Sequence, residues 1–153
     1  MLVSEMQTEI AWAAGIFDGE GSIFVSKATR PVKRGGRVSY QLVACVTMTH
    51  KETLERLASI FGNKVLLQGR RSKVWWKAAY AWRLGNPEDI RSFLTAIRPY
   101  SITKAVEIDL ALEALVSWEP LTRQECRSGV SELQTSLRAG LYVDLREAKR
   151  VGV

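Results

Sequence analysis

The chain has 153 residues, 46% of them hydrophobic, and a formal net charge of +6 at neutral pH. That length suits one domain with a real core, and that apolar content excludes wholesale disorder. No apolar run reaches the roughly 20 residues of a membrane span, the acidic N-terminal residues Glu5 and Glu9 do not fit a signal peptide, and a lone His50 without a paired-cysteine motif argues against zinc, so an intracellular, soluble chain with Cys45 and Cys126 as reduced thiols is expected.

In chain order, Gln7 or Thr8 is placed to cap a first helix reaching Phe17 or Asp18, with Ile10, Ala13, Ala14 and Phe17 at helical spacing. The helix is expected to stop in Gly19-Glu20-Gly21, which frames a carboxylate between two glycines. A strand from Ser22 to about Ala28 alternates Ser22, Phe24 and Ser26 against Ile23 and Val25. A basic loop, Thr29 to Arg37, turns into a second strand from Val38 to Met48, with Leu42, Ala44 and Val46 on one face and Gln41, Val43, Cys45 and Thr47 on the other.

Thr49 and Glu52 read as a capping box for a second helix, with Leu54, Leu57, Ala58 and Phe61 inward and Gly62 as its stop. Lys64 to Gln68 and Val74 to Leu84 read as a second hairpin, with Trp76, Ala78, Tyr80, Trp82 and Leu84 on one face. Asn86-Pro87 starts a third helix that buries Ile90, Phe93, Leu94 and Ile97 and ends before Pro99. A fourth helix, Thr103 to about Trp118, uses Val106, Leu110, Leu112 and Leu115, and the tail from Leu121 reads as one or two short helices broken near Gly140.

The order αββαββα predicts an α+β fold: an antiparallel four-stranded sheet with helices on one face and C-terminal helical additions. One domain is expected, with its core at about residues 8–118 and an extension at 119–153. Charge follows this layout. Between Ser22 and Arg83 there are 13 Lys and Arg against 2 Asp and Glu, whereas the rest of the chain carries 9 against 14. The basic residues therefore lie on the strands and their hairpins. An open basic sheet face fits nucleic acid, since a β-ribbon enters the major groove of DNA. Outward positions Ser22, Phe24, Ser26, Arg30, Arg37, Gln41, Cys45, Gln68, Arg70, Lys77 and Arg83 are candidate base readers, while Lys33, Arg34, Arg71 and Lys73 at the hairpin tips suit phosphates.

The stretch Ala13-Ala14-Gly15-Ile16-Phe17-Asp18-Gly19-Glu20-Gly21 resembles the motif of the LAGLIDADG homing endonucleases. Three further segments are similar to that family in the same order: Val46 to Leu54 at a strand-to-helix junction, Tyr80-Ala81-Trp82 in a last strand, and Ile97 to Lys104 after the third helix. The resemblance spans about Thr8 to Glu113. It implies an intron-encoded, site-specific DNA endonuclease. With one motif per chain it implies a homodimer whose motif helices pack through Ala13, Ala14, Gly15 and Phe17, acting on a near-palindromic site.

The resemblance also implies a divalent metal, Mg²⁺ with Ca²⁺ or Mn²⁺ as substitutes, held by Glu20 and the Gly19 carbonyl near the two-fold axis. Asp18 would brace the turn, and Lys104 would sit near the scissile phosphate. Met48 stands where a polar residue commonly orders water, a task left to Thr47 or Thr49. Two other readings stay open. One is an intron-RNA maturase or DNA-binding protein of the same fold with weak or lost cleavage. The other is a basic RNA-binding domain of unrelated origin, which would not need an acid between glycines at a helix end.

Overall fold

The structure, a computed structural model, describes residues 3–29, 31, 33, 36, 38–69, 76–118 and 131–151. Its elements are α1 (Val3–Glu20), β1 (Gly21–Thr29), β2 (Val38–Met48), α2 (Lys51–Phe61), β3 (Val65–Leu67), β4 (Tyr80–Leu84), α3 (Pro87–Ile97), a 3₁₀ turn (Arg98–Tyr100), α4 (Ala105–Ser117) and α5 (Glu132–Val151). The strands form one antiparallel sheet in the order β1-β2-β4-β3. The architecture is the α+β arrangement read from the sequence. Among the described residues no helix is long and apolar enough to cross a membrane.

The helices cover the sheet face that carries Ile23, Val25, Leu42, Ala44, Val46, Trp82 and Leu84, all in the core. Burial alternates cleanly along the first six residues of β1, because successive side chains point to opposite faces, while in β2 and β4 the outward Val43 and Ala81 are buried as well. Phe93 on α3 is the hub of the aromatic packing. Its ring meets Phe17 (centroids 5.1 Å apart), Phe61 (4.9 Å) and Trp82 (5.0 Å), all edge-on. This joins α1, α2, α3 and β4 at one point, and the edge-on geometry suits the ring quadrupoles. Trp82 also donates from Nε1 to the Gly62 carbonyl at 2.8 Å, so its polar edge is satisfied inside the core. Gly62 has a φ of 81°, the left-handed value that stops α2 as its position suggests.

Several boundaries differ from the sequence reading, each for a local reason. The α1 helix starts at Val3, before the expected caps. The Thr8 hydroxyl donates back to the Ser4 carbonyl at 2.8 Å, as a residue inside a helix does. It also runs on through Gly19 to Glu20, so the acid ends a helix instead of lying in a loop. His50, not Thr49, is the N-cap residue of α2, and its ring contacts the Thr53 hydroxyl at 2.8 Å. The fourth helix is Ala105–Ser117. It buries Glu107, Ile108, Ala111 and Leu115 while Val106 is exposed, because a helix apolar almost all round leaves its buried side to be chosen by its neighbours. Among the described residues of the tail, Glu132–Val151 form a 20-residue helix that passes straight through Gly140.

Gly21 is required by a close approach, not by an unusual φ. A Cβ there would lie 2.3 Å from Phe17 Cδ2 and 2.5 Å from the Phe17 carbonyl oxygen. A Cβ on Gly140 would meet nothing within 4 Å. Gly21→Ala is therefore expected to lower stability by about 1–3 kcal/mol through overpacking. Gly140→Ala is expected to raise it by about 0.5–1 kcal/mol by relieving a helix-interior glycine. Urea unfolding of the two variants beside the parent measures both signs.

Candidate functional site

The end of α1 is an uncommitted, electronegative corner. The last carbonyls of a helix have no intrahelical partner, and the aligned peptide dipoles place partial negative charge there. No basic residue lies in the last turn of α1 to offset it. Gly19 and Glu20 are both exposed at this end, and among the described residues nothing hydrogen-bonds the Glu20 carboxylate. The corner thus presents hard oxygen ligands to a cation. Among the described residues no three His, Cys, Asp or Glu converge into a closed metal cage. One carboxylate plus backbone carbonyls suits Mg²⁺, which keeps several waters and takes phosphate oxygens, and the same donors serve Ca²⁺ or Mn²⁺.

Asp18, two residues earlier, has a different task. Its Oδ2 accepts from the Ile102 N–H at 2.7 Å and the Thr103 N–H at 3.2 Å, and its Oδ1 accepts from the Lys104 N–H at 3.2 Å. Lys104 is the N-cap residue of α4 and makes no side-chain cap bond of its own. Asp18 supplies that cap from another helix, and its negative charge lies at the positive end of the α4 dipole. The sequence suggests that Asp18 braces its own turn. The structure shows it bracing one 84 positions later. The consequence is that Glu20 and Lys104, far apart in sequence, come from elements bonded to each other.

The outward sheet face gathers most of the described reader candidates. Ser22 pairs with Cys45, Cys45 with Arg83, and Ser26 with Gln41, so these side chains stand in transverse rows. Gln41 and Arg83 are exposed, while Ser22, Phe24, Ser26 and Cys45 are half-buried. Arg83 lies over the Phe24 ring at 5.8 Å, and Gln41 donates to the Gly85 carbonyl at 3.4 Å. Burial pushes the Cys45 thiol up, opposed by the nearby charges of Arg83 and Lys149. Lys33, Gln68 and Lys77 are exposed outside the strands. Arg30, Arg34, Arg37, Arg70, Arg71 and Lys73 lie outside the described residues, as do Trp75 and Cys126.

One expectation needs correcting. Ala13, Ala14 and Phe17, taken above as contacts to a second chain, are fully buried in this chain's own core. Only Gly15 of that set is exposed, since the four cannot share one face of a helix. Met48 packs against the core cluster, where a thioether is at home, while Thr47 is half-buried on the outward face and Thr49 is exposed. The sequence reading also missed Lys149 in the last turn of α5, which donates to the Ile23 carbonyl at 2.7 Å beside the motif. No local motif marks that lysine.

No protein-family model matches the chain, and no curated protein matches it. Solved structures do. The chain resembles the homing endonuclease I-CvuI in complex with the I-CreI target in the presence of Mg, with a TM-score of 0.65 and 17% identity over 97% of this chain and 98% of that one. It resembles the archaeal intron-encoded homing endonuclease I-Vdi141I complexed with DNA, with a TM-score of 0.68 and 17% identity over 92% of this chain and 83% of that one. I-SmaMI bound to uncleaved DNA in the presence of calcium ions matches at a TM-score of 0.64 and 17% identity, and there 91% of this chain covers 45% of the other. The fold is that of the LAGLIDADG homing endonucleases.

Removing the Asp18 carboxylate isolates the inter-helix cap. Asp18→Ala leaves three N–H groups without their acceptor and should cost about 1–3 kcal/mol. Hydrogen exchange should show the amides of Ile102, Thr103 and Lys104 losing protection first.

Proposed function

We propose that the chain is a divalent-metal-dependent DNA endonuclease that acts as a homodimer on a near-palindromic site. The observation that carries this is the junction at Asp18: it ties the helix that ends in an uncommitted carboxylate, Glu20, to the lysine-bearing helix start at Lys104, beside the sheet face that carries Arg83. Glu20 and the Gly19 carbonyl would hold Mg²⁺, with water and phosphate oxygens completing its shell. A metal so held supplies an activated water and charge stabilisation on the phosphate. Lys104 would offset the negative charge that grows on the phosphorane. The outward rows Ser22-Cys45-Arg83 and Ser26-Gln41 would read base edges, and the basic hairpins would meet phosphates.

The helix α1 also supports a two-fold partner. Added Cβ atoms on Gly15 and Gly19 would meet nothing within 4 Å inside the chain, so the fold itself does not require glycine there. Together with Ala11, these two glycines form an i, i+4 stripe that lets a second backbone come close. Such packing would set two copies of Glu20 side by side. Chains of about twice this length, such as I-SmaMI, match over about half their length. That ratio suits two copies of the present chain.

One observation favours a second reading, a binding protein of this fold with weak or lost cleavage. Met48 packs inward, leaving water ordering to threonines. Cleavage of a randomised duplex library in Mg²⁺, with binding followed in Ca²⁺, separates the two: binding without cut ends defeats the nuclease. Glu20→Gln should slow cleavage by about 100-fold or more, the equivalent of some 3 kcal/mol of lost charge stabilisation, and leave Ca²⁺-supported binding nearly intact. Normal cutting by that variant would remove Glu20 from the metal site. In sedimentation, the parent should run as a dimer and Gly15→Leu as a folded monomer. A monomeric parent on DNA defeats the two-fold arrangement.

A further inference from the structure

The last turn of α5 ends against the motif. Lys149 Nζ donates to the Ile23 carbonyl at 2.7 Å and lies 3.4 Å from Ser22 Oγ. Both partners belong to the edge strand β1, within three residues of Glu20. On the far side of the ammonium is Glu107, in the first turn of α4 and only 7% exposed. Its Oε2 has no hydrogen-bond partner among the described residues, and Lys149 faces it at 3.9 Å. A carboxylate buried to that degree is strongly unfavourable unless a cation opposes it. Lys149 is the cation in place.

The helix that delivers Lys149 is anchored along its length. Gln134 donates to the Ser117 carbonyl at 2.7 Å, at the far end of α4. Arg138 donates to the Tyr40 carbonyl at 3.4 Å and stacks over Trp118 at 4.7 Å. Leu141 and Leu145 are buried in the core. At 1.5 Å per residue, α5 spans about 30 Å. It therefore runs from the end of α4 back to the start of β1 as a strap, with Lys149 at its tip.

We infer that Lys149 is a positioning residue for the proposed cleavage site: with Glu107 it ties the first turn of α4, which follows Lys104, to the first residues of β1, which follow Glu20. The inference rests on the endonuclease reading above. Asp18 joins the same two segments through the end of α1. Lys149 joins them through β1. Two ties on different elements fix the separation of Glu20 and Lys104 where one would leave a hinge.

Lys149→Met keeps the stem and deletes the ammonium. Single-turnover cleavage in Mg²⁺ should slow by tenfold or more, with DNA affinity in Ca²⁺ changed by less than about twofold. Lys149→Arg should recover most of the rate, because a guanidinium can still face both Ile23 O and Glu107. The pair Lys149→Met with Glu107→Gln removes the uncompensated buried charge. It should regain stability but stay slow, which separates positioning from simple destabilisation. An unchanged rate for Lys149→Met, recovery of the rate in the double variant, or a rate loss matched by an equal loss of DNA affinity would each overturn the inference. A second measurement needs no cleavage. Amide exchange at Ser22–Phe24 and Lys104–Ala105 should speed up tenfold or more in Lys149→Met, with α2 and α3 unmoved. Unchanged exchange there overturns the tie whether or not the parent cuts DNA, whereas absence of cutting by the parent defeats only the endonuclease reading.

Discussion

The carboxylate of Asp18 is the constraint on which the rest of the site depends. It accepts from three successive amides, Ile102 to Lys104, and so caps α4 from the end of α1. Hydrogen bonds to a charged acceptor are stronger than neutral ones, and this one also sits at the positive end of a helix dipole. The same carboxylate thereby serves the helix that carries Glu20 and the helix start that carries Lys104. Around it, the Arg98–Asp109 pair, at 2.6 and 2.8 Å, ties the 3₁₀ turn to α4. That guanidinium holds the Asp109 carboxyl below its ordinary range.

Behind the junction stands the aromatic core. Phe93 touches Phe17, Phe61 and Trp82, and Gly21 must be glycine because the Phe17 ring and carbonyl fill the space a side chain would take. The sharp passage from α1 into β1 is thus a packing consequence. It leaves Glu20 at the surface and turns Ser22, the next outward residue, toward the sheet face that carries Cys45 and Arg83. Core and site are in this sense one construction. The ring that anchors α1 inside the protein also determines where its last residue emerges.

Much of this was legible in the residues. The bounds of β2, the Asn86-Pro87 start of α3 and the four buried residues of α3 follow from strong local signals: alternation, a capping amide and a clean helical period. The misreadings have a common cause. Thr8 and Thr49 are good caps in isolation, and Gly140 is a plausible stop, but local preferences are worth only about 1 kcal/mol and packing overrides them. In α4, apolar residues on nearly every side leave no period to read, so the buried acid Glu107 was invisible.

The sequence by itself determined the element order, the alternation of the strands, the basic character of the hairpins and the acid at the end of the first helix, because these rest on neighbours a few positions apart. Only the tertiary structure decided which face of α1 is spent on the core, leaving Gly15 outside while Ala13, Ala14 and Phe17 go in. It also decided that Asp18 caps a distant helix and that Lys149 reaches the strand beside Glu20. Those contacts join residues 84 or more positions apart, and no local periodicity carries information about them.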